Sequence, residues 1–280
     1  MQLENILKTI DNCLPVETAM EGDRLGLQIQ SGQDEIRKIL ITLELNKDVV
    51  KEATLQNANC IITFHPLIFF PILNINDNDR VGELCTLLIK NSIALISIHT
   101  NFDAFSEGTS FVLSKKLGLK RIGFLAPDKY YPDRGMGVIA ESNGNLSQEE
   151  LLQKVIAVCN SPIRYSLNSR TNIIKKIAII GGSGSIFLNN AIDLGCDAFI
   201  TADITYHTFH KANGKIMLID PGHYEMEQFV PQALAELLMN EIKDENLVII
   251  TSKILTNPIR YYPETEYFYN KQKSYLIINK

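Results

Sequence analysis

The sequence predicts an α/β protein of two modules, each a mostly parallel, mixed sheet with helices packed on it. Three observations carry this reading. Short, nearly continuous apolar runs alternate with stretches of helical periodicity. The alternation starts near Lys38, is interrupted, and restarts near Lys176. The chain has 280 residues, 45% of them hydrophobic, which is enough for roughly two domains at about 150 residues each.

The elements follow in order. Ile6, Leu7 and Ile10 recur at helical spacing, and Pro15 closes that helix. EGDRLGLQIQSG is too punctuated by glycine to be helix throughout. Residues 38–43 (KILITL) are a buried strand, and Asn46 caps a helix reaching about residue 57. Residues 60–64 (CIITF) form a second strand ending at His65-Pro66. After a helix over 80–90, residues 93–98 (IALISI) form a third strand ending at His99. A helix over 107–117 follows. Residues 127–134 are turn-rich, and GMGVIA is a strand. Ser147 with Glu150 three residues later forms a capping box for the next helix. NSPIRYSLNSRTN reads as an edge loop or short strand region. The pattern then restarts with KIAII, a tight GGSGS turn, a helix over 186–194 and the strand DAFIT. Helix-compatible sequence over 205–212, the strand KIMLID, a long helix over 226–240 and LVII complete the second module. The resulting division is 1–125, a linking segment 126–169, and 170–280, although the modules could equally be lobes of one sheet assembly. The tyrosine-rich tail after Pro258 is expected to pack on the body or on a partner subunit.

Composition excludes several classes. A disordered chain would need low hydrophobicity and high net charge. Lys+Arg 27 against Asp+Glu 32 gives a net charge of −5, which removes the simplest electrostatic case for nucleic acid. Cys13, Cys60, Cys85, Cys159 and Cys196 are odd in number, lack CxxC spacing and sit in or beside apolar stretches, as reduced thiols do. The first residues have no basic region leading into an apolar one, and no run approaches the ~18 apolar residues of a membrane span. The expected location is the cytoplasm. GGSG lacks the GK[ST] ending of a phosphate loop, and Ser183 is not in a GxSxG elbow.

The five histidines are the informative residues. His65, His99, His207, His210 and His223 all follow predicted strands, and strand exits of a parallel sheet are where ligand groups gather. Asp103 stands four residues after His99, Asp203 four before His207, and Glu227 four after His223. His223 and Glu227 share one face of a helix start and could bind one ion or two adjacent ones. Histidine with carboxylate is ligand chemistry for Zn, Mn or Fe. Any one of these histidines more often closes a strand or caps a helix. Their joint placement at four strand exits favours a metal site.

Several motifs in fixed order then carry a resemblance. GDRLGLQIQ, TFHPLIFFP, SIHTNFDA, AIIGGSGS, FITADITYH, LIDPGHYEMEQF and TNPI are similar, over nearly the whole chain, to segments of the NIF3-like family, the GTP cyclohydrolase 1 type 2 homologues. The resemblance implies two similar α/β lobes with mostly parallel mixed sheets, in the compact form without an inserted domain. It implies a pair of divalent metals in a cleft between lobes, with His65, Asp103, His223 and Glu227 as ligands and Glu227 bridging. Asp203 and His207 take neighbouring or catalytic roles. One or two ions per chain (Zn, Fe or Mn), a homohexamer built as a trimer of dimers, and a nucleotide or phosphorylated small-molecule substrate for a metal-dependent hydrolase complete the implication. The alternative is a metal-binding or metal-delivery assembly without turnover. Departures from the pattern are Phe64, where many bacterial members have a first histidine before His65, Gly22 for a common Trp, Arg24 for Asn, and Glu44 for Asp. Phe64 has no donor atom for a metal.

Overall fold

The computed structural model describes residues 1–32 and 34–262. In chain order the elements are α1 (Leu3–Cys13), β1 (Gly26–Ile29), β2 (Lys38–Thr42), α2 (Lys47–Leu55), β3 (Cys60–Thr63), α3 (Arg80–Lys90), β4 (Ala94–Ser97), α4 (Thr100–Asp103), α5 (Thr109–Lys116), β5 (Lys120–Pro127) and β6 (Gly135–Ser147). There follow α6 (Gln148–Cys159), β7 (Arg164–Tyr165), β8 (Ile173–Ile179), α7 (Leu188–Asp193), β9 (Ala198–Ile200), α8 (Tyr206–Ala212), β10 (Met217–Asp220), α9 (His223–Glu227), α10 (Val230–Glu241) and β11 (Val248–Thr251).

The chain divides into two compact units. One comprises Met1–Val112, Ala126–Gly137 and Glu227–Thr256; the other comprises Leu113–Leu125, Val138–Met226 and the described residues from Asn257 onward. The first holds a five-stranded sheet in the order β1-β4-β3-β2-β11. Strands β4, β3, β2 and β11 run parallel, and β1 is antiparallel at the edge. Strands β3 and β4 are buried along their whole length, as a sheet covered on both faces requires. On one face, Leu40, Ile61 and Leu95 pack with Val49, Val50 and Ala53 of α2 and with Leu84, Cys85 and Leu88 of α3. Each such fully buried aliphatic side chain contributes about 1.5–3 kcal/mol of transfer free energy. Helix α10 packs on β2 and β11, and α1 packs on α10.

The second unit holds a six-stranded sheet, β5-β6-β8-β9-β10-β7. Its centre, β8-β9-β10, is parallel, and β6 and β7 pair antiparallel to that centre. Phe199, Leu218, Ala178, Leu188 and Ala191 lie in its core. The fold is thus two similar α/β units with mixed, mostly parallel sheets.

Helix boundaries follow local chemistry. Asn46 accepts from Val49 N at 2.9 Å and starts α2, and Ser147 with Glu150 forms the full capping box of α6. The GGSG turn closes on Thr201, whose hydroxyl donates to Gly182 O and accepts from Gly184 N. Two expectations change. LVII does not complete the second sheet: β11 pairs with β2, because its residues extend the parallel register of the first sheet. The glycine-punctuated stretch contains an edge strand, β1, where Gly26 takes φ +83° at the entry. Most of the tyrosine-rich tail lies outside the described residues. Cys60, Cys85, Cys159 and Cys196 are buried free thiols, and Cys13 is half-buried and free. Among the described residues no helix is long and apolar enough to cross a membrane.

Candidate metal centre

The site grows from the carboxyl ends of three adjacent parallel strands. Thr42 of β2 pairs in register with Thr63 of β3, and Thr63 with Ser97 of β4. The three residues are buried, so apolar strand interiors end at one level in a row of hydroxyls. The next residues leave together: Phe64 N donates to Thr42 O, His65 N to Leu43 O, and Ile98 N to Thr63 O. Glu44, His65 and His99 therefore emerge side by side, at the end of the sheet where parallel α/β folds collect ligands.

His65 stands between two carboxylates. Its Nδ1 lies 3.1 Å from Glu44 Oε2 and its Nε2 lies 3.1 Å from Glu227 Oε2. Burial alone would lower its pKa, but the hydrogen bonds and charges of Glu227 and Glu44 outweigh that and push it up to about 10. Glu44 is pushed the other way. Burial would raise it, yet His65 and the Arg80 guanidinium hold it below the usual glutamate range. Arg80 pairs with Glu44 and also donates to Leu45 O at 2.7 Å, fixing the carboxylate that fixes the imidazole.

His223 and Glu227 begin and end α9, one helical turn apart on one face. His223 Nδ1 lies 2.6 Å from Asp203 Oδ2. Asp203 reaches it from a left-handed backbone conformation, φ +54°, just after β9. Gly222 enters the helix at φ +95°, and a Cβ there would overlap the Glu225 carboxylate. Glu225 is buried and is held by Asn257 Nδ2 at 2.8 Å, which gives the TNPI segment a structural task. Ligand atoms of His65, His223 and Glu227 all lie within 4.8 Å of one another.

Around this group the carboxylate–imidazole pairing repeats. His99 Nδ1 lies 2.9 Å from Asp23 Oδ1 and 3.0 Å from Oδ2. Asp23 also accepts from the backbone N–H of Thr100 at 3.1 Å and from its hydroxyl. Burial would raise the Asp23 pKa, but these donors hold it down at about 2. Asp103 closes α4; its Oδ1 is buried and has no hydrogen-bond partner among the described residues. Burial, and then the charge of Glu227, push the Asp103 pKa up to about 7. Phe64 is fully buried, with its ring 5.1 Å from that of His65 and 5.3 Å from that of His99.

Two imidazoles and a buried carboxylate are a donor set for a borderline divalent ion. In both His65 and His223 a carboxylate sits on Nδ1, the arrangement that orients metal-bound histidines, and in His65 Nε2 faces the Glu227 carboxylate. The residues fit a divalent cation, and His65, His223 and Glu227 are the ones that would hold it.

The model of the Duf34/NIF3 family (NGG1p interacting factor 3) matches residues 1–258. The chain belongs to the Duf34/NIF3 family. A GTP cyclohydrolase 1 type 2 homolog of Clostridium perfringens is 31% identical over 266 residues, covering 93% of this chain and 100% of that protein. Among solved structures, Staphylococcus aureus protein SA1388 has a TM-score of 0.86 at 30% identity, covering 93% of this chain and 99% of that one. A Bacillus cereus protein related to NIF3 has the same TM-score at 23% identity, which speaks to the fold alone.

The sequence-predicted residues of this NIF3-family chain are placed as follows. His65, His223 and Glu227 come together, and Asp203 touches the group through His223. Asp103 and His99 stand outside the group of three. His207 is exposed on α8 with its ring 5.5 Å from that of Tyr206, and His210 packs on the same tyrosine. Sequence reading gave no orienting task to Asp23, Glu44 or Arg80. A signal existed for Glu44: it follows β2 by two residues, as His65 follows β3, and in-register parallel strands put such positions side by side.

Proposed function

We propose that this NIF3-family protein is a metal-dependent hydrolase acting on a nucleotide or other phosphorylated small molecule, with two divalent ions per chain. The observation that supports it most is the His65–His223–Glu227 group, with each imidazole braced by a carboxylate. A divalent ion there would supply Lewis acidity toward a phosphoryl or carbonyl oxygen and lower the pKa of water. The chain's own residues do the rest. Glu44 and Asp203 hold the rings of His65 and His223 in one orientation. Glu227, nearly inaccessible to water, concentrates negative charge where cations sit. Asp103 adds a second buried carboxylate one strand exit away and is our candidate further ligand. Asp203 and His207 are our candidates for moving the proton, and exposed His207 is placed for exchange with solvent.

The GTP cyclohydrolase label of the relatives suggests nucleotide ring opening as one version of this chemistry. We also infer a cytoplasmic homohexamer, a trimer of dimers. Exposed Phe70 and Leu73 on the loop before α3 offer apolar surface suited to a subunit contact.

The test is a screen of nucleotides and phosphoesters with protein reconstituted with Zn, Mn or Fe(II). The expected result is turnover that chelation abolishes and that falls at least about 100-fold in His65→Ala and Glu227→Ala. Metal binding without turnover of any compound would replace this reading by the metal-delivery one.

A further inference from the structure

His65 and His223 each carry a carboxylate on Nδ1, but the two carboxylates are held differently. Glu44, the partner of His65, is gripped through its own side chain by Arg80. Asp203, the partner of His223, has its side chain 55% exposed, and among the described residues no second donor reaches its carboxylate. The His223 side chain is itself 31% exposed. An ion pair so open to water gains little and does not hold its own geometry. The 2.6 Å contact between Asp203 Oδ2 and His223 Nδ1 therefore needs the backbone fixed on both sides of it.

One buried side chain reaches both backbones. Asp220 ends β10 and is 4% exposed. Its Oδ2 accepts from the N–H of Ile204 at 3.2 Å, one residue after Asp203. Its Oδ1 accepts from the N–H of Gly222 at 3.0 Å, one residue before His223. The carboxylate thus spans the exits of β9 and β10, which run parallel and in register as far as Ile200 and Ile219. It ties down Asp203 at φ +54°, a conformation that residues other than glycine adopt uncommonly. A buried carboxylate needs a countercharge, and Arg164 supplies it. Arg164 stands opposite Asp220 in the β7–β10 pairing, and its Nη2 donates to Asp220 Oδ2. Its guanidinium lies 5.8 Å from the centre of the Phe209 ring on α8. Ser161 Oγ donates to Pro221 O at 2.5 Å and holds the same corner. All these residues belong to the second unit.

We propose that Asp220 is the positioning residue of the His223–Asp203 pair, acting through the N–H groups of Ile204 and Gly222, with Arg164 as its countercharge. The proposal rests on the reading of His223 as an imidazole that holds a divalent ion, and it names what aims that imidazole. Asp220 and Arg164 do for His223, through the backbone, what Glu44 and Arg80 do for His65 through side chains.

The experiment compares the full chain with Asp220→Asn, which keeps the shape of the side chain and loses its charge. Leu188→Ala, in the core of the same unit, is the control for stability loss alone. Two quantities are read: the side-chain ¹⁵N resonances of His223 in chelated protein, at a pH above the ordinary histidine range, and the affinity for Zn²⁺ by equilibrium dialysis. In the wild type the Asp203 carboxylate holds the proton on Nδ1 of His223. Asp220→Asn should move the His223 resonances toward the mixed tautomers of a free imidazole and weaken Zn²⁺ binding about 10-fold. Leu188→Ala should lower the melting temperature and leave both readings unchanged. Unmoved His223 resonances in Asp220→Asn would overturn the proposal whatever the Zn²⁺ affinity. So would an equal displacement in Leu188→Ala, because the effect would then be general loosening. A wild type that binds no Zn²⁺ would overturn the metal reading of His223, while the resonances still decide the role of Asp220. Should Asp220→Asn fail to fold, Arg164→Gln replaces it, since Arg164 is 63% exposed. The same displacement of His223 there supports the proposal, and its absence overturns it.

Discussion

Asp23 shows how much one side chain organises. It accepts from His99 and twice from Thr100, and so joins the GDRLG segment to the exit of β4. Its folded-state pKa, about 2, lies below the ordinary 3.8, so the stabilisation it brings is present above pH 4 and is lost as pH falls toward 2. The shift corresponds to about 2 kcal/mol. Asp23→Asn in chelated protein should lower stability by about that amount at pH 7, and the gap to wild type should shrink as pH approaches 2. Urea unfolding at several pH values measures it, and a gap independent of pH would exclude the carboxylate as its source. Histidines at strand exits were legible in the sequence because strand ends announce themselves. Their carboxylate partners were not: Asp23 and His99 are 76 positions apart, and only sheet register and loop path bring them together.

At the scale of elements, α9 depends on the residue before it. Gly222 has φ +95°, where an L side chain is strained, and the space a methyl would need is taken by Glu225 and Tyr261. Gly222→Ala should therefore cost about 2 kcal/mol and turn His223 away from Asp203. A lower melting temperature together with weakened Zn²⁺ binding checks this. An unchanged affinity would show that the helix tolerates a new entry. The sequence revealed α2 and α6 through their caps, and the parallel strands through their unbroken apolar runs. It concealed β5, whose burial alternates without a clean period, and β1, whose glycines suit a loop as well as an edge.

At the scale of the whole molecule, neither unit is a continuous stretch. The first sheet takes its last strand from β11 and its covering helix from α10, both beyond residue 226. A fragment of residues 1–125, the module suggested by sequence alone, lacks both. It should show no cooperative thermal transition by circular dichroism and should bind a hydrophobic dye. A sharp melt would mean that β2 tolerates a bare edge and an uncovered face. The pattern of runs revealed how many sheets there are but not which strands each receives, because a parallel edge strand has the same apolar signature in either sheet.

The late delivery of β11 also sets a clock. Ribosomes add about 5–20 residues per second, so the edge of β2 waits roughly 8–30 seconds for its neighbour after β4 has been made. For that interval β2, paired with β3 on one side, shows a bare apolar edge on the other, which is the period when a holding chaperone would matter most.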